Sequence, residues 1–168
     1  MKIKSIKYVE HSKSELEWSL ENFTLDKINL LVGKNATGKS RTISLVNGLA
    51  NLVSGDVKFN YTSGNYDILF EKGDDVIRYI LNYEDSKITQ ESLDVNGKIL
   101  LVRGKNGIGK IRAIQLDKDI DFQIPDDQLA CVSRRDSVQH PFFENLYQWG
   151  KTTIFYPFGT VLGKDVIH

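Results

Sequence analysis

One stretch of eight residues constrains the chain more than any other part of its sequence. It runs Gly33, Lys34, Asn35, Ala36, Thr37, Gly38, Lys39, Ser40. This fits G-x-x-x-x-G-K-[ST], the pattern of a phosphate-binding P-loop, which needs a strand before it and a helix after it. The apolar run 28–32 precedes the motif and predicts a buried strand. Apolar residues then recur at helical spacing from Ile43 to Val53, which predicts a helix that ends at Ser54-Gly55.

The residue types of the motif suit a triphosphate. Gly33 and Gly38 lack a Cβ, so the backbone can turn tightly and approach a ligand closely. Backbone amides and the positive end of the following helix then form an anion site. Lys39 is predicted to reach the β- and γ-phosphates and to stabilise charge in catalysis, and the Ser40 hydroxyl is predicted to bind Mg²⁺. The alternative is a glycine-rich turn with a helix cap at Thr37 or Ser40.

The predicted nucleotide site covers the motif and the residue after it. Its members are Gly33, Lys34, Asn35, Ala36, Thr37, Gly38, Lys39, Ser40 and Arg41. The expected ligands are ATP and Mg²⁺. A P-loop reads phosphates, so the residues do not themselves choose ATP over GTP, although no N-K-x-D-like base reader for guanine is found.

Composition limits the other classes of function. The 168 residues carry 22 basic and 22 acidic side chains, so overall charge gives no argument for a nucleic-acid or membrane partner. The single cysteine, Cys131, excludes an internal disulfide and a cysteine-based metal site. No signal peptide follows Met1, and no segment approaches the ~20 apolar residues of a membrane span. We therefore expect a cytoplasmic protein.

The chain on either side of the motif predicts further elements. Strands are expected at 2–9 and 16–25, and short β-branched and aromatic runs at 57–60, 66–72, 76–83, 99–103 and 111–116 predict antiparallel hairpins. Beyond Pro125, a strand is expected at 129–132, a helix with an aromatic face at 141–150 and a last strand at 152–156.

A second match to part of the P-loop pattern occurs at 104–110, Gly-Lys-Asn-Gly-Ile-Gly-Lys. Ile111 stands where Ser or Thr should bind the metal, and the next residues predict a strand rather than a helix. Because Asn106-Gly107 is also a strong hairpin turn, we interpret this stretch as a hairpin tip.

The features taken together resemble a known group of proteins. Two strands precede a loop of the form G-x-N-x-x-G-K-[ST], with Asn35 two residues after Gly33, and an antiparallel insert follows the loop helix. This is similar to the N-terminal lobe of ABC-type and SMC-like ATPases, specifically the bacterial AAA family ATPases related to RecF, Rad50 and OLD proteins. The resemblance implies an α/β fold of α+β character, with a mixed core sheet, the P-loop helix and an antiparallel β-hairpin subdomain.

The resemblance also implies a domain plan and partners. Residues 1–168 would form one ATP-binding lobe, divided into 1–56 (strands, P-loop and helix), 57–124 (antiparallel insert) and 125–168 (strand, helix and onward connection). Such lobes work as dimers that hold ATP between two heads, in DNA repair, chromosome maintenance or phage defence. We expect a homodimer or a partner chain. The family's Q-loop glutamine, which binds Mg²⁺, is assigned to Gln139, with Gln128 as the competitor.

The parts needed for hydrolysis are not recognisable in the sequence. Neither 79–85 nor 113–117 gives a convincing Walker B strand, and no LSGG-type signature is found. The chain is therefore expected to be a fragment of a longer ATPase or the product of a split gene. The alternative is a non-hydrolysing interaction lobe whose partner supplies the missing motifs. A third hypothesis is DNA binding through Arg134-Arg135 or through Lys105 and Lys110, which the zero net charge does not support.

Overall fold

The main element of the fold is a β-sheet in which each strand pairs antiparallel with its neighbours. The structure is a computed structural model that describes residues 1–35 and 37–156. In chain order its elements are β1 (Lys2–Glu10), β2 (Trp18–Thr24), α1 (Lys39–Val53), β3 (Ser63–Lys72), β4 (Asp75–Glu84), β5 (Lys87–Val95), β6 (Lys98–Arg103), a 3₁₀ turn (Lys105–Gly107), β7 (Ile108–Ala113), β8 (Lys118–Gln123), α2 (Ala130–Ser133) and α3 (Phe143–Thr152). The eight strands lie in the order β2-β1-β3-β4-β5-β6-β7-β8.

Tight turns set this order, because most consecutive strands are joined by short hairpins. Asn96 and Gly97 have φ of 54° and 81°, the left-handed values that a two-residue hairpin turn of type I′ requires. Asp85 and Ser86, with φ of 49° and 58°, make the same kind of turn between β4 and β5. The hairpin tip expected at 104–110 is confirmed, since it joins the antiparallel strands β6 and β7.

The core lies between one face of this sheet and the helices. Alternate residues of β3 point inward, so that Tyr66 and Phe70 are buried beneath the helices. The Tyr66 hydroxyl lies 3.4 Å from the carbonyl oxygen of Leu45 in α1, and the Phe70 ring lies 4.9 Å from the Trp149 ring in α3. The two helices therefore share one apolar face of the sheet, and the helix predicted after the motif forms as α1.

The predicted fold class is wrong. Residues 1–35 and 37–156 form one antiparallel sheet with few helices, not the mixed core sheet of a P-loop NTPase with a separate hairpin subdomain. The run 28–32, expected as the buried strand before the motif, has no strand structure, and Ile28 is 91% exposed. The physical reason is pairing. A strand needs a neighbour for its backbone groups, and β1 pairs instead with β2 and β3.

Buried polar contacts explain a second error, at 129–132. The expected strand is the short helix α2, preceded by Leu129. Its first amides, those of Ala130 and Cys131, donate to the carboxylate of Glu91 at 2.7 and 3.0 Å. A buried carboxylate that accepts amide bonds at a helix N-terminus stabilises helical geometry there. No local apolar pattern around Cys131 could reveal this distant partner.

Other boundaries differ from expectation as well. Residues 57–60 and 153–156 form no strand, whereas β5 and β8 were missed. β5 contains the buried Glu91, and β8 alternates Asp with apolar residues, so neither matched a simple apolar run. Residues 157–168, the end of the predicted onward connection, lie outside the described residues.

Candidate functional site

The motif forms a loop that ends at the first turn of α1. Gly38 is the N-cap residue of this helix, and no side chain donates to or accepts from its cap. The first turn carries no acidic side chain. The alternative of a helix cap at Thr37 or Ser40 is therefore not what the structure shows, since the Thr37 hydroxyl donates instead to the Lys34 carbonyl at 2.9 Å. Ala36 lies outside the described residues.

The Lys39 side chain folds back over the loop. Its ammonium donates to the carbonyl oxygens of Gly33 at 2.7 Å and Lys34 at 2.6 Å, and lies 3.4 Å from the Thr37 hydroxyl. The charged group is thus held where the loop and the helix N-terminus meet. A positive charge beside uncapped amides of a 15-residue helix makes this end of α1 favourable for an anion.

The two glycines of the motif lie in close surroundings, and Gly38 is also required by its backbone conformation. Gly38 has φ of +86°, a left-handed conformation that L side chains rarely adopt, and a Cβ there would also lie 3.4 Å from the Trp18 ring. A Cβ at Gly33 would lie 2.8 Å from the Thr37 hydroxyl oxygen. The loop therefore tolerates little added bulk at either position.

Side chains of β1 and β2 contact the start of α1 beside the loop. The Arg41 guanidinium stacks on the Trp18 ring at 4.6 Å and forms an ion pair with Glu10 at the end of β1. The Tyr8 hydroxyl donates to Glu10 at 2.9 Å. Burial and the hydrogen bond with Tyr83 raise the pKa of Tyr8 above its ordinary value, so this hydroxyl remains a donor.

This edge cluster of Tyr8, Glu10, Trp18 and Arg41 was missed from the sequence, apart from Arg41. Arg41 was predicted to bind nucleotide, and in this structure its guanidinium is already engaged by Glu10 and Trp18. The alternation around Trp18 placed it on a strand. Nothing local indicated that β1 and β2 would bring these residues beside Gly38.

The residues present suit a magnesium ion that is carried by phosphates. Ser40 is exposed at the start of α1, so its hydroxyl is free to provide one hard oxygen. Mg²⁺ usually keeps several waters and takes one or two protein ligands together with substrate phosphates. Across residues 1–35 and 37–156 there is no group of three or more His, Cys, Asp or Glu side chains placed to hold a metal on its own.

Gln139, the expected Q-loop residue, does not lie beside the motif. Its carbonyl accepts from the Ile114 amide at 3.0 Å and its side chain lies 3.5 Å from that of Gln115, beside the turn between β7 and β8. The strand order puts that hairpin at the opposite edge of the sheet from β2 and the motif. The structure thus does not bring Gln139 to Ser40.

The remaining sequence candidates are also distant from the motif. Gln128 lines a cleft of about 500 Å³ at the far end of α1, and its carbonyl accepts from buried Arg103. Arg134 and Arg135 stack on the rings of Phe122 and Tyr147, at 5.6 and 3.4 Å respectively. Their guanidinium groups are therefore already partnered within the chain.

Comparisons with known proteins do not assign the chain to a group. No protein-family model, curated protein or solved structure matches it. Within the part of the chain that the structure describes, no helix is both long enough and apolar enough to cross a membrane.

Proposed function

We propose that this chain binds Mg²⁺-ATP through the loop 33–40. The single observation that carries the proposal is the position of Lys39. Its ammonium is held by the carbonyls of Gly33 and Lys34 at the uncapped N-terminus of α1. This combines a fixed positive charge, free helix amides and a backbone without Cβ atoms at the two glycines, and all three features favour a polyphosphate.

Each group of the loop has a separate task in this proposal. Lys39 exchanges its carbonyl partners for phosphate oxygens, which are stronger acceptors because they are charged. The Ser40 hydroxyl would provide one ligand to a magnesium ion that accompanies the phosphates, and such an ion would supply positive charge against theirs. The choice of ATP over GTP rests on the resemblance of the motif to the ABC-type and SMC-like ATPases.

A second candidate function, an interaction lobe, is favoured by a specific observation. The run before the motif leaves Ile28, Leu30 and Val32 exposed at 91%, 85% and 78%. Hydrolysis by a P-loop protein requires an acidic strand residue and a residue that positions water. In this alternative the lobe does not hydrolyse ATP by itself: it provides the phosphate loop, and a partner chain supplies the Walker B and signature motifs.

Calorimetry tests the first proposal. ATP and GTP are titrated into the chain with and without Mg²⁺. Lys39→Ala is compared with Lys58→Ala, which removes the same charge from an exposed position beside the cleft at the far end of α1. We expect Mg²⁺-dependent binding of ATP that weakens at least about tenfold in Lys39→Ala, a loss of roughly 1.4 kcal/mol or more. Lys58→Ala should bind like the wild type.

Two results would overturn it. A folded wild-type chain that binds no nucleotide at millimolar concentration lacks the function proposed. Equal binding by Lys39→Ala and the wild type would show that the nucleotide lies elsewhere. In either case the interaction lobe becomes the better account.

A further inference from the structure

Arg41 is a charged group of the edge cluster that is held on one side and open on the other. Its guanidinium carbon lies 4.6 Å from the centre of the Trp18 ring, which covers one side of the group, and Glu10 holds it by an ion pair. The Glu10 side chain is only 16% exposed and accepts from the Tyr8 hydroxyl, so the carboxylate that orients Arg41 is itself held in place. The Arg41 side chain nevertheless remains 48% exposed.

The position of Arg41 brings this group close to the proposed phosphate site. The helix α1 begins at Lys39, so Arg41 lies in the same turn as Lys39 and Ser40. The Trp18 ring beneath it also lies against the loop, since a Cβ at Gly38 would be 3.4 Å from that ring. In a nucleoside triphosphate only the α-phosphate and the ribose separate the base from the β-phosphate. The base of a nucleotide held at this turn is therefore within reach of the edge cluster.

A base binds by stacking on a flat group, either an aromatic ring or a guanidinium plane. The edge cluster contains three such groups, on Tyr8, Trp18 and Arg41. Tyr8 is buried, at 4% exposure, and the Trp18 ring is contacted by Tyr8, by Arg41 and by the loop at Gly38. Arg41 is the most exposed of the three. A guanidinium is weakly hydrated and stacks readily, so its open side suits a base.

We propose that the purine base of the bound nucleotide stacks on the open side of the Arg41 guanidinium, so that base, Arg41 and Trp18 form three successive layers. The inference rests on the proposed function, because the phosphates must lie at the loop. The charge of Arg41 is already balanced by Glu10, so the residue contributes a flat surface rather than a phosphate ligand. Purines offer a larger ring system than pyrimidines, so the site selects purine nucleotides. Stacking itself does not distinguish adenine from guanine.

Calorimetry with Mg²⁺-ATP and Mg²⁺-CTP tests the stacking. The two nucleotides carry the same ribose and the same phosphates, so the ratio of their affinities reports the base alone. We expect the wild type to bind ATP about fivefold or more tightly than CTP, which is within the range of base stacking. Arg41→Lys keeps the positive charge but removes the flat group, so this ratio should fall towards one. A change that acts only on the phosphates would alter both affinities and leave the ratio as it was.

Two further variants separate the stacking from general effects of charge. Glu10→Gln removes the ion pair that orients the guanidinium and should also lower the ratio. Arg134→Lys is the matched control, because Arg134 is another exposed arginine and lies 5.6 Å from the centre of the Phe122 ring, away from the motif. Its ratio should equal that of the wild type.

The outcomes distinguish a failure of this inference from a failure of the proposed function. A wild type that binds ATP and CTP equally would overturn the stacking, and so would an Arg41→Lys chain with the wild-type ratio. In both cases, binding that still depends on Lys39 would leave the proposed function standing. A folded wild type that binds neither nucleotide would overturn the proposed function and this inference together.

Discussion

The guanidinium carbon of Arg41 lies 4.6 Å from the centre of the Trp18 ring, which links the first turn of α1 to the edge strand of the sheet. A cation stacked on an indole contributes about 0.5–2 kcal/mol, depending on its exposure. Because the same ring also lies against Gly38, Trp18 touches both the loop and the helix that would hold a phosphate.

This position makes Trp18 a reporter of the loop. The chain has two tryptophans, so Trp149→Phe leaves Trp18 as the only indole. We expect Mg²⁺-ATP to change the emission of this variant, since a bound phosphate alters the field at Lys39 and Arg41. Adding Lys39→Ala should abolish the change. Emission that responds equally with and without Lys39 would show that nucleotide does not act through the loop.

Gly38 gives a test of the loop conformation. We expect Gly38→Ala to weaken nucleotide binding, because alanine in a left-handed conformation costs roughly 1–2 kcal/mol and its Cβ would lie in contact with the Trp18 ring. Gly73→Ala is the matched control, since Gly73 also has a positive φ, of +61°, but a Cβ there would meet nothing within 4 Å. Both variants should lose stability in urea unfolding. The affinity for nucleotide is corrected for the fraction of each variant that is folded. If it falls equally in Gly38→Ala and Gly73→Ala, Gly38 has no specific role.

The most buried ion pair of the described chain predicts a large effect on stability. The side chains of Glu91 and Arg103 are fully buried and lie 3.5 Å apart. The Glu91 carboxylate also accepts from the Tyr79 hydroxyl at 3.0 Å and from the first amides of α2. Arg103 in turn donates to the carbonyl oxygens of Pro125 and Gln128. These hydrogen bonds connect residues 125–131, which follow β8, to strands β4, β5 and β6.

Arg103→Met should therefore destabilise the chain by about 3–5 kcal/mol, because it leaves the Glu91 carboxylate buried without a counter-charge. Arg78→Met is the comparison, since Arg78 in β4 pairs with Asp67 in the neighbouring strand β3, with side chains 51% and 33% exposed. The exposed pair should contribute only about 0–1 kcal/mol. Urea unfolding of both variants measures the difference. Equal losses would show that burial does not set the strength of these pairs.

Local patterns in the sequence predicted much of the structure. The helix after the motif follows from the spacing of Ile43 and Val53, and the hairpin turns follow from pairs such as Asn96-Gly97. These signals lie within a few residues of the structure that they specify. The motif itself is equally local, and both its glycines occupy positions where a Cβ would meet a neighbour.

Contacts between distant residues account for what was missed. The fold class was wrong because an apolar run such as 28–32 predicts a strand whether or not a neighbouring strand exists to pair with it. The helix α2 depends on Glu91, about 40 residues away in the chain. The edge cluster beside the loop depends on β1 and β2 folding against α1. Periodicity reports which face of an element is apolar, but not which element covers it.

The measurement that tests the central claim most directly is a titration of Mg²⁺-ATP followed by the backbone amide resonances of the chain. A nucleotide held by the loop should shift the amides of 33–41 most strongly, together with the indole N–H of Trp18, and Lys39→Ala should remove these shifts. Shifts centred on Phe59 and Leu129, which line the cleft at the other end of α1, would contradict the account. The absence of any shift at millimolar nucleotide would contradict it as well.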